Sequence, residues 1–304
     1  MRPGITGAGI DVRSDVKNRG LLPRHVQVQT VSWCNRGCAF CPSRKFPREA
    51  KLMEMAAYER ILGELASEGF AGRFSPYLQG EPMLDPRMAE RVARARARLP
   101  EAKILIQSNG DLMTVEKGEE LFRMGLHKLI LNCYDDEGGR LEGLRNLAKE
   151  LARRVPGLEV LTRGEFGRMA LGTEAGEIRK QIAVTDKTWW KHDSMENWAG
   201  NVPSIPPLVR PLRRSCFRPF EQLYVRWNGD AVLCCCDWKG EVVLGNLLER
   251  PLREVFNSEV AARYRRSLER KDRNLPLCRS CDFKGAHPWG ERMLARMSRW
   301  TGRG

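Results

Sequence analysis

Between residues 25 and 162 the chain alternates two hydrophobic rhythms. Short apolar runs of strand length occur at His25–Ser32, Phe74–Gln79, Lys103–Ser108, Lys128–Asn132 and Glu159–Thr162. Between them apolar residues return at helical spacing: Tyr58, Ile61, Leu62 and Leu65 share one face, as do Leu144, Leu147, Ala148 and Leu151. Strand–helix alternation at this interval predicts an α/β fold with a parallel sheet or barrel. A full barrel needs eight repeats and only about five or six fit, so the expectation is a partial (β/α)6-type TIM barrel.

Residues 163–215 lose the rhythm. They hold Trp189, Trp190 and Trp198, whose expected role is packing, with a substrate-pocket wall as the other reading, and a Pro-rich bridge, Pro203–Pro211. Two apolar runs, Leu223–Trp227 and Ala231–Cys235, then flank Asn228-Gly229, a pair that tolerates the positive φ of a hairpin turn. Helices are predicted near 251–257 and 259–270, and a basic tail helix near 290–300. The division read from this is an N-terminal extension (1–24), the partial barrel (25–200), a linker (201–215), a small hairpin-plus-helix domain (216–285) and a basic tail (286–304).

The 304 residues are 42% hydrophobic and 30% charged, a globular balance. No run approaches the ~20 apolar residues of a membrane span, and MRPGITGAGIDVRSDVKNRG lacks a secretory apolar core. A soluble, cytoplasmic protein is expected. Ten cysteines in such a compartment point to metal binding or catalysis rather than disulfides. The net charge of +14 admits nucleic acid, a membrane surface, an anionic small molecule or simply a solvated surface. Arg210, Arg213 and Arg214 make the densest basic patch, and Arg263, Arg265, Arg266 and Arg270 read as one exposed helix face. No aromatic stacking platform interleaves them, which makes nucleic acid a minor option.

The chemistry sits in the cysteines. Cys34-Asn-Arg-Gly-Cys38-Ala-Phe-Cys41 follows the first strand, and three thiolates so spaced can wrap one corner of a cuboidal iron–sulfur cluster. Three ligands leave one iron open, as a catalytic centre requires, and Gly37 allows the tight bend. A zinc site short of a ligand, or a structural cluster with a distant fourth cysteine, are the other readings. The motif, with an aromatic before its last cysteine, resembles the signature of the radical S-adenosylmethionine (SAM) superfamily. The resemblance implies a [4Fe–4S] cluster on Cys34, Cys38 and Cys41, SAM on its open iron, and Phe40 beside the adenine. Gly80-Glu81-Pro82 resembles the family segment that binds the SAM ammonium, with Gln79 in place of a common first glycine. Ser108-Asn109-Gly110 resembles a segment on the ribose side. All three motifs end strands, the face where barrel active sites collect.

Cys216, Cys234, Cys278 and Cys281 form a second group, in which the last two make a CxxC pair and Gly229 and Cys234 a GxxxxC. Spacing alone also admits a four-cysteine zinc site. With Arg218-Pro219-Phe220 before the hairpin and Leu244-Gly245-Asn246-Leu247 after it, the pattern resembles the SPASM/twitch domains, which carry auxiliary [4Fe–4S] clusters. No cysteine follows Cys281, so the shorter twitch type with one auxiliary cluster is expected. Cys133, Cys235 and Cys236 remain. Their default is burial as small hydrophobes; each is also a candidate hydrogen-atom donor, Cys133 from the barrel mouth and, of Cys235 and Cys236, the one that shares the strand face of Cys234 while the other points opposite.

Over about residues 25–285 the chain is similar to small twitch enzymes that oxidise or epimerise sugars and cyclitols. Peptide epimerases and other peptide-modifying SPASM enzymes share much of the pattern, but only about 24 residues precede the first strand, which favours a small substrate or a partner-delivered peptide. The resemblance implies reductive cleavage of SAM to a 5′-deoxyadenosyl radical, hydrogen abstraction, and an electron donor such as flavodoxin or ferredoxin. The positive charge suits an anionic substrate. Asn197–Asn201 resembles an Asn-Arg-Ala-Gly-Asn stretch of related enzymes, with Trp198 in the arginine's place. The competing class is a non-catalytic iron–sulfur electron-transfer or nucleic-acid-binding protein, which would neither bind nor cleave SAM.

Overall fold

The computed structural model describes residues 21–44, 46, 49–161, 179–187, 196–202 and 204–285. Nine strands form one sheet in the order β5-β6-β4-β3-β2-β1-β7-β8-β9. They are β1 (His25–Val28), β2 (Arg73–Ser75), β3 (Lys103–Ser108), β4 (Lys128–Cys133), β5 (Leu158–Leu161), β6 (Lys180–Asp186), β7 (Gln222–Val225), β8 (Asp230–Val232) and β9 (Val243–Asn246). Strands β1 to β7 pair in parallel; β8 and β9 pair antiparallel. The helices are α1 (Met55–Ser67), α2 (Met88–Arg98), α3 (Val115–Arg123), α4 (Arg140–Arg154), α5 (Arg218–Glu221), α6 (Leu252–Phe256) and α7 (Glu259–Glu269). None of the described helices is long and apolar enough to cross a membrane.

The helical stripes pack as their spacing requires. Tyr58, Ile61, Leu62 and Leu65 of α1 are fully buried among Val26, Val28, Phe74 and Ile104 of the strands. Each such side chain contributes roughly 1.5–3 kcal/mol. In α4, Leu144, Ala148 and Leu151 are buried, while Leu147 lies half-buried at the edge of the stripe. Alternate strand residues face the other way. There His25 Nε2 meets Ser75 Oγ at 2.9 Å, Tyr77 packs on Leu105 and Ile130, and Thr185 Oγ1 donates to Asn132 Oδ1 at 2.7 Å. This inner face is the lumen of the partial barrel.

Strand β6 is absent from the periodicity reading, which ended the barrel rhythm at 162. Its short apolar centre, Ile182-Ala183-Val184, is flanked by Gln181 and Thr185, so only pairing reveals it. It enters between β4 and β5 and makes β4 buried along its whole length. Strands β1 and β2 are shorter than their apolar runs. Residues 29–32 stay buried beyond the last ladder bond to β7, Gln29 N–H to Val225 O at 2.8 Å, and Val31 sits in a bridge to Leu52. The hairpin turns at Asn228-Gly229, where Gly229 has φ 88° and a Cβ would stand 2.5 Å from Leu248. Its first strand, β7, pairs with β1 over His25↔Gln222 to Val28↔Val225, so the sheet runs unbroken into the second cysteine region.

The exposed-face reading of α7 needs one correction. Arg265 is buried, donating to Pro219 O at 2.8 Å and Phe256 O at 2.7 Å, and burial lowers its pKa to about 10. Thr162, Trp189, Trp190 and the tail helix near 290–300 lie outside the described residues.

Candidate active site

The first cysteine loop leaves β1 and is fastened at its base by Ser32, whose Oγ donates to Glu49 O at 2.5 Å and accepts from Lys51 N–H at 2.9 Å. Within it, Cys41 N–H bonds Cys38 O at 3.0 Å. The Cys34 Sγ accepts from Arg36 N–H at 3.4 Å, with Asn109 Nδ2 at 3.8 Å. Burial and neighbouring thiols push Cys38 up to about 11, and burial raises Cys34 in the same sense. A cavity of about 220 Å³ opens beside it, lined by Trp33, Cys34, Arg36, Gly80 and Trp238.

The other two motifs buttress this loop. Gly80 adopts φ 138°, and a Cβ there would stand 2.6 Å from Val31 O and 2.7 Å from Trp33 O, so only glycine fits. Glu81 N–H donates to Trp33 O at 3.0 Å. The buried Glu81 carboxylate accepts from Ser108 Oγ (2.7 Å), Asn109 N–H (2.8 Å) and Met83 N–H (3.0 Å), the last at the start of the Pro82–Leu84 turn. Burial raises its pKa against these donors, so the ionised form calls for a cation. Gly80-Glu81-Pro82 and Ser108-Asn109 thus meet at one carboxylate.

An ion network missed by sequence reading surrounds them, because Arg36 sits at a position that the CxxxCxxC spacing leaves unspecified. Arg36 bonds Asp111 at 2.5 Å and also pairs with Asp135; Arg140 pairs with Asp111 and donates to Asn109 O at 2.6 Å. Asn109 Nδ2 donates to Asn35 Oδ1 at 2.8 Å. The loops after β1, β3 and β4 are locked together. Beside them the Phe40 ring packs on Tyr134 at 5.0 Å, and Lys187 Nζ lies 5.4 Å from the Tyr134 ring centre. Tyr134 and Lys187 continue the inner-face alternation of Asn132 and Thr185, which places both at the barrel mouth. Partial burial lowers the Lys187 ammonium to about 8.

The second group is a cavity lined by Cys216, Cys234, Cys236, Cys278 and Cys281 with Arg218, Arg273 and Phe283. Arg218 N–H donates to the Cys216 thiol and Phe283 N–H to Cys281, the same two-residue step that gives Cys34 its donor. Arg273 clamps both ends of the site, bonding Arg214 O (2.8 Å), Ser215 O (2.6 Å) and Phe283 O (2.6 Å). Burial pushes Cys216 up to about 11 and raises Cys278 further. Among the described residues no three His, Cys, Asp or Glu close on the point a single ion would occupy. Cys216 and Cys278, which resist ionisation, and the amide donors to Cys216 and Cys281 suit an iron–sulfur core, whose positive charge reverses the first effect while the N–H···S bonds orient the ligands.

Asn197–Asn201 belongs to this site. Asn197 N–H bonds Asp282 at 2.9 Å and its Nδ2 bonds Ser280 O at 2.8 Å, while Asn201 Nδ2 reaches Cys236 O at 3.2 Å. The stretch pins the CxxC loop, and Trp198, at φ 48°, stands edge-on to Trp238 at 6.5 Å.

The three spare cysteines separate. Cys133 is not at the lumen: it lies fully buried on the helix-facing side of β4, because Leu129, Leu131 and Cys133 alternate to that face, and its Sγ donates to Asp135 O at 2.8 Å. Cys236 turns into the second cavity, away from the inner face. Cys235 bridges toward the lumen, within hydrogen-bond reach of both the Cys236 thiol and the lumen residue Tyr224, and its carbonyl accepts from Gln79 Nε2 at 2.7 Å.

The family model of the Radical SAM superfamily matches residues 28–133, and that of the SPASM iron–sulfur cluster-binding domain matches residues 216–282. The chain is 24% identical over 259 residues to the S-adenosyl-L-methionine-dependent 2-deoxy-scyllo-inosamine dehydrogenase of Niallia circulans, covering 84% of this chain and 92% of the relative. Among solved structures, BtrN in complex with AdoMet and 2-DOIA superposes with a TM-score of 0.68 at 24% identity, over 86% of this chain and 93% of BtrN. Streptococcus suis SuiB bound to S-adenosylmethionine gives 0.53 at 14% identity, over 83% and 70%. The anSMEcpe protein with bound AdoMet gives 0.53 at 12%, over 92% and 93%. These likenesses agree with the partial barrel followed by a C-terminal cluster domain.

Proposed function

Because the chain belongs to the radical SAM superfamily and carries a SPASM domain behind its barrel, we propose that it dehydrogenates a small sugar- or cyclitol-type alcohol. We assign Cys34, Cys38 and Cys41 to the SAM-binding [4Fe–4S] cluster and Cys216, Cys234, Cys278 and Cys281 to one auxiliary [4Fe–4S] cluster. Bound there, SAM and its cluster supply a 5′-deoxyadenosyl radical that removes a hydrogen atom from substrate carbon. Glu81, placed by Gly80 and Pro82, takes the SAM ammonium; Ser108 and Asn109 border the ribose, and Phe40 the adenine. Lys187, at the mouth beside Tyr134, is the base for the substrate hydroxyl.

One observation carries the reading. Cys34 follows β1 and Cys216 precedes the parallel strand β7, so the two cysteine groups lie at opposite ends of the β1–β7 ladder, with the Gln79–Cys235 bond between them. An alcohol held between them loses hydrogen toward one side and an electron toward the other. The position of Cys235 favours a second reading, epimerisation, in which its thiol returns hydrogen to the substrate carbon. The relative's name makes 2-deoxy-scyllo-inosamine the first substrate to try. The chain's +14 charge favours an anionic cyclitol, such as a phosphate ester, and an acidic electron donor of the flavodoxin or ferredoxin class. For such a substrate the Michaelis constant rises with salt; a salt-independent constant removes the anionic preference.

The test is anaerobic turnover in heavy water after iron and sulfide analysis. About eight irons per chain, 5′-deoxyadenosine and a deuterium-free ketone support dehydrogenation. An unoxidised product carrying deuterium supports Cys235 and epimerisation. No 5′-deoxyadenosine under reduction ends both readings.

A further inference from the structure

Five thiols line the second cavity, one more than a four-cysteine cluster uses, and Arg218 reaches two of them. Its main-chain N–H donates to Cys216, and its Nη1 donates to Cys236 Sγ at 3.1 Å. The guanidinium is held in place: it lies 3.6 Å from the centre of the Phe283 ring, and Nη2 pairs with Glu196 at 3.1 Å. Phe283 is itself fixed, edge-on to Phe217 at 6.0 Å and bonded through its carbonyl to Arg273. Cys236 is 1% exposed and within hydrogen-bond reach of Cys234 and Cys281.

We propose that Arg218, acting through the non-ligating thiol of Cys236, is the positioning residue that sets the reduction potential of the auxiliary cluster. This rests on the assignment of Cys216, Cys234, Cys278 and Cys281 as its ligands. A thiolate-bound cluster is an anion and becomes more negative on reduction. A cation fixed against its sulfurs in a region of low dielectric therefore stabilises the reduced form more than the oxidised one. Hydrogen bonds to the ligand sulfurs act in the same direction. Glu196 offsets little of this, since its side chain is 40% exposed and screened by water, whereas that of Arg218 is only 14% exposed. A guanidinium so enclosed is costly unless a stronger anion faces it, and the cysteine cavity is where that anion belongs. Arg273 shares the wall, but its three bonds to main-chain carbonyls make it the clamp of the loops. The Arg218 guanidinium instead meets a thiol, a ring and a carboxylate.

The experiment uses the full chain with Cys34, Cys38 and Cys41 replaced by alanine, so that only the second site holds iron, and follows reduction by electron paramagnetic resonance. Arg218→Gln is expected to lower the midpoint by about 59 mV, a tenfold fall in the reduced-to-oxidised ratio for a one-electron couple. Arg218→Lys should recover most of that shift, and Cys236→Ala should lower the midpoint while retaining iron. Unchanged midpoints in Arg218→Gln and Cys236→Ala, with iron retained, overturn the proposal. Loss of iron in Cys236→Ala together with its retention in Cys216→Ala also overturns it, by making Cys236 a ligand. If Arg218→Gln does not hold iron, Cys236→Ala decides. A parent chain that takes up no cluster refutes the ligand assignment itself, a separate result.

Discussion

The Glu81 carboxylate is held by Ser108, Asn109 and Met83 in a buried place, with its pKa raised by that burial. Ionising it costs the unliganded protein once pH rises above the ordinary carboxylate range, and a bound ammonium removes that cost. Glu81→Gln is expected to weaken SAM binding at least tenfold, since a hydrogen bond to a charged group is worth about 1.5–3 kcal/mol; calorimetry on the reconstituted protein checks it. Lys187 runs the other way. With its pKa lowered to about 8, the folded chain resists a proton that the unfolded chain binds, so the penalty is full below 8 and fades toward the ordinary lysine value. Lys187→Met should therefore gain stability at neutral pH while ketone formation falls and 5′-deoxyadenosine persists. A parallel loss of both products would mark Lys187 as structural. Gln79, where the family motif often has glycine, bonds the Cys235 carbonyl at 2.7 Å, and its own carbonyl accepts from Gln29 at 2.7 Å. The departure is a tie between the two halves of the site that glycine could not make. Motif spacing could name the cysteines and Glu81, but not Lys187, Tyr134 or Arg218, which gain meaning only from what the fold sets beside them.

At the scale of elements, the turn after Gly80-Glu81 is anchored by an ion pair. Asp85 and Arg91 meet at 2.5 Å with both side chains wholly buried, joining the Pro82–Leu84 turn to α2. Asp85→Asn leaves Arg91 without its buried counter-charge and is expected to cost about 3–5 kcal/mol, measured by urea denaturation. Amphipathic α1 and α4 and the Asn-Gly hairpin were legible because period and turn chemistry are local properties. Strand β6 was not, since an apolar core as short as Ile182–Val184 reads like any loop until β4 and β5 flank it. The ends of β1 and β2 were overrun for a related reason: burial continues past Val28 and Ser75 while the ladder does not, and hydrophobicity reports burial alone. The parallel union of β7 with β1 joins residues about 200 apart, which no window along the chain can register.

For the whole molecule, that union makes the barrel dependent on the region behind it. A chain ending at residue 215 would present β1 as a bare, apolar edge. It is expected to aggregate rather than survive as a barrel, and solubility with far-ultraviolet circular dichroism would show it; a soluble, folded fragment would contradict the dependence. The same arrangement also bears on how such a protein can diverge. Strand β1 is hemmed in by β2 and β7, and a one-residue slip would turn its inner face outward and misdirect the cysteine loop at its end. Strand β5, by contrast, has a neighbour on one side only among the described residues. Descendants of this chain that acquire new substrates should therefore carry their insertions and deletions near β5, while the lengths around β1 and β7 pass on unaltered.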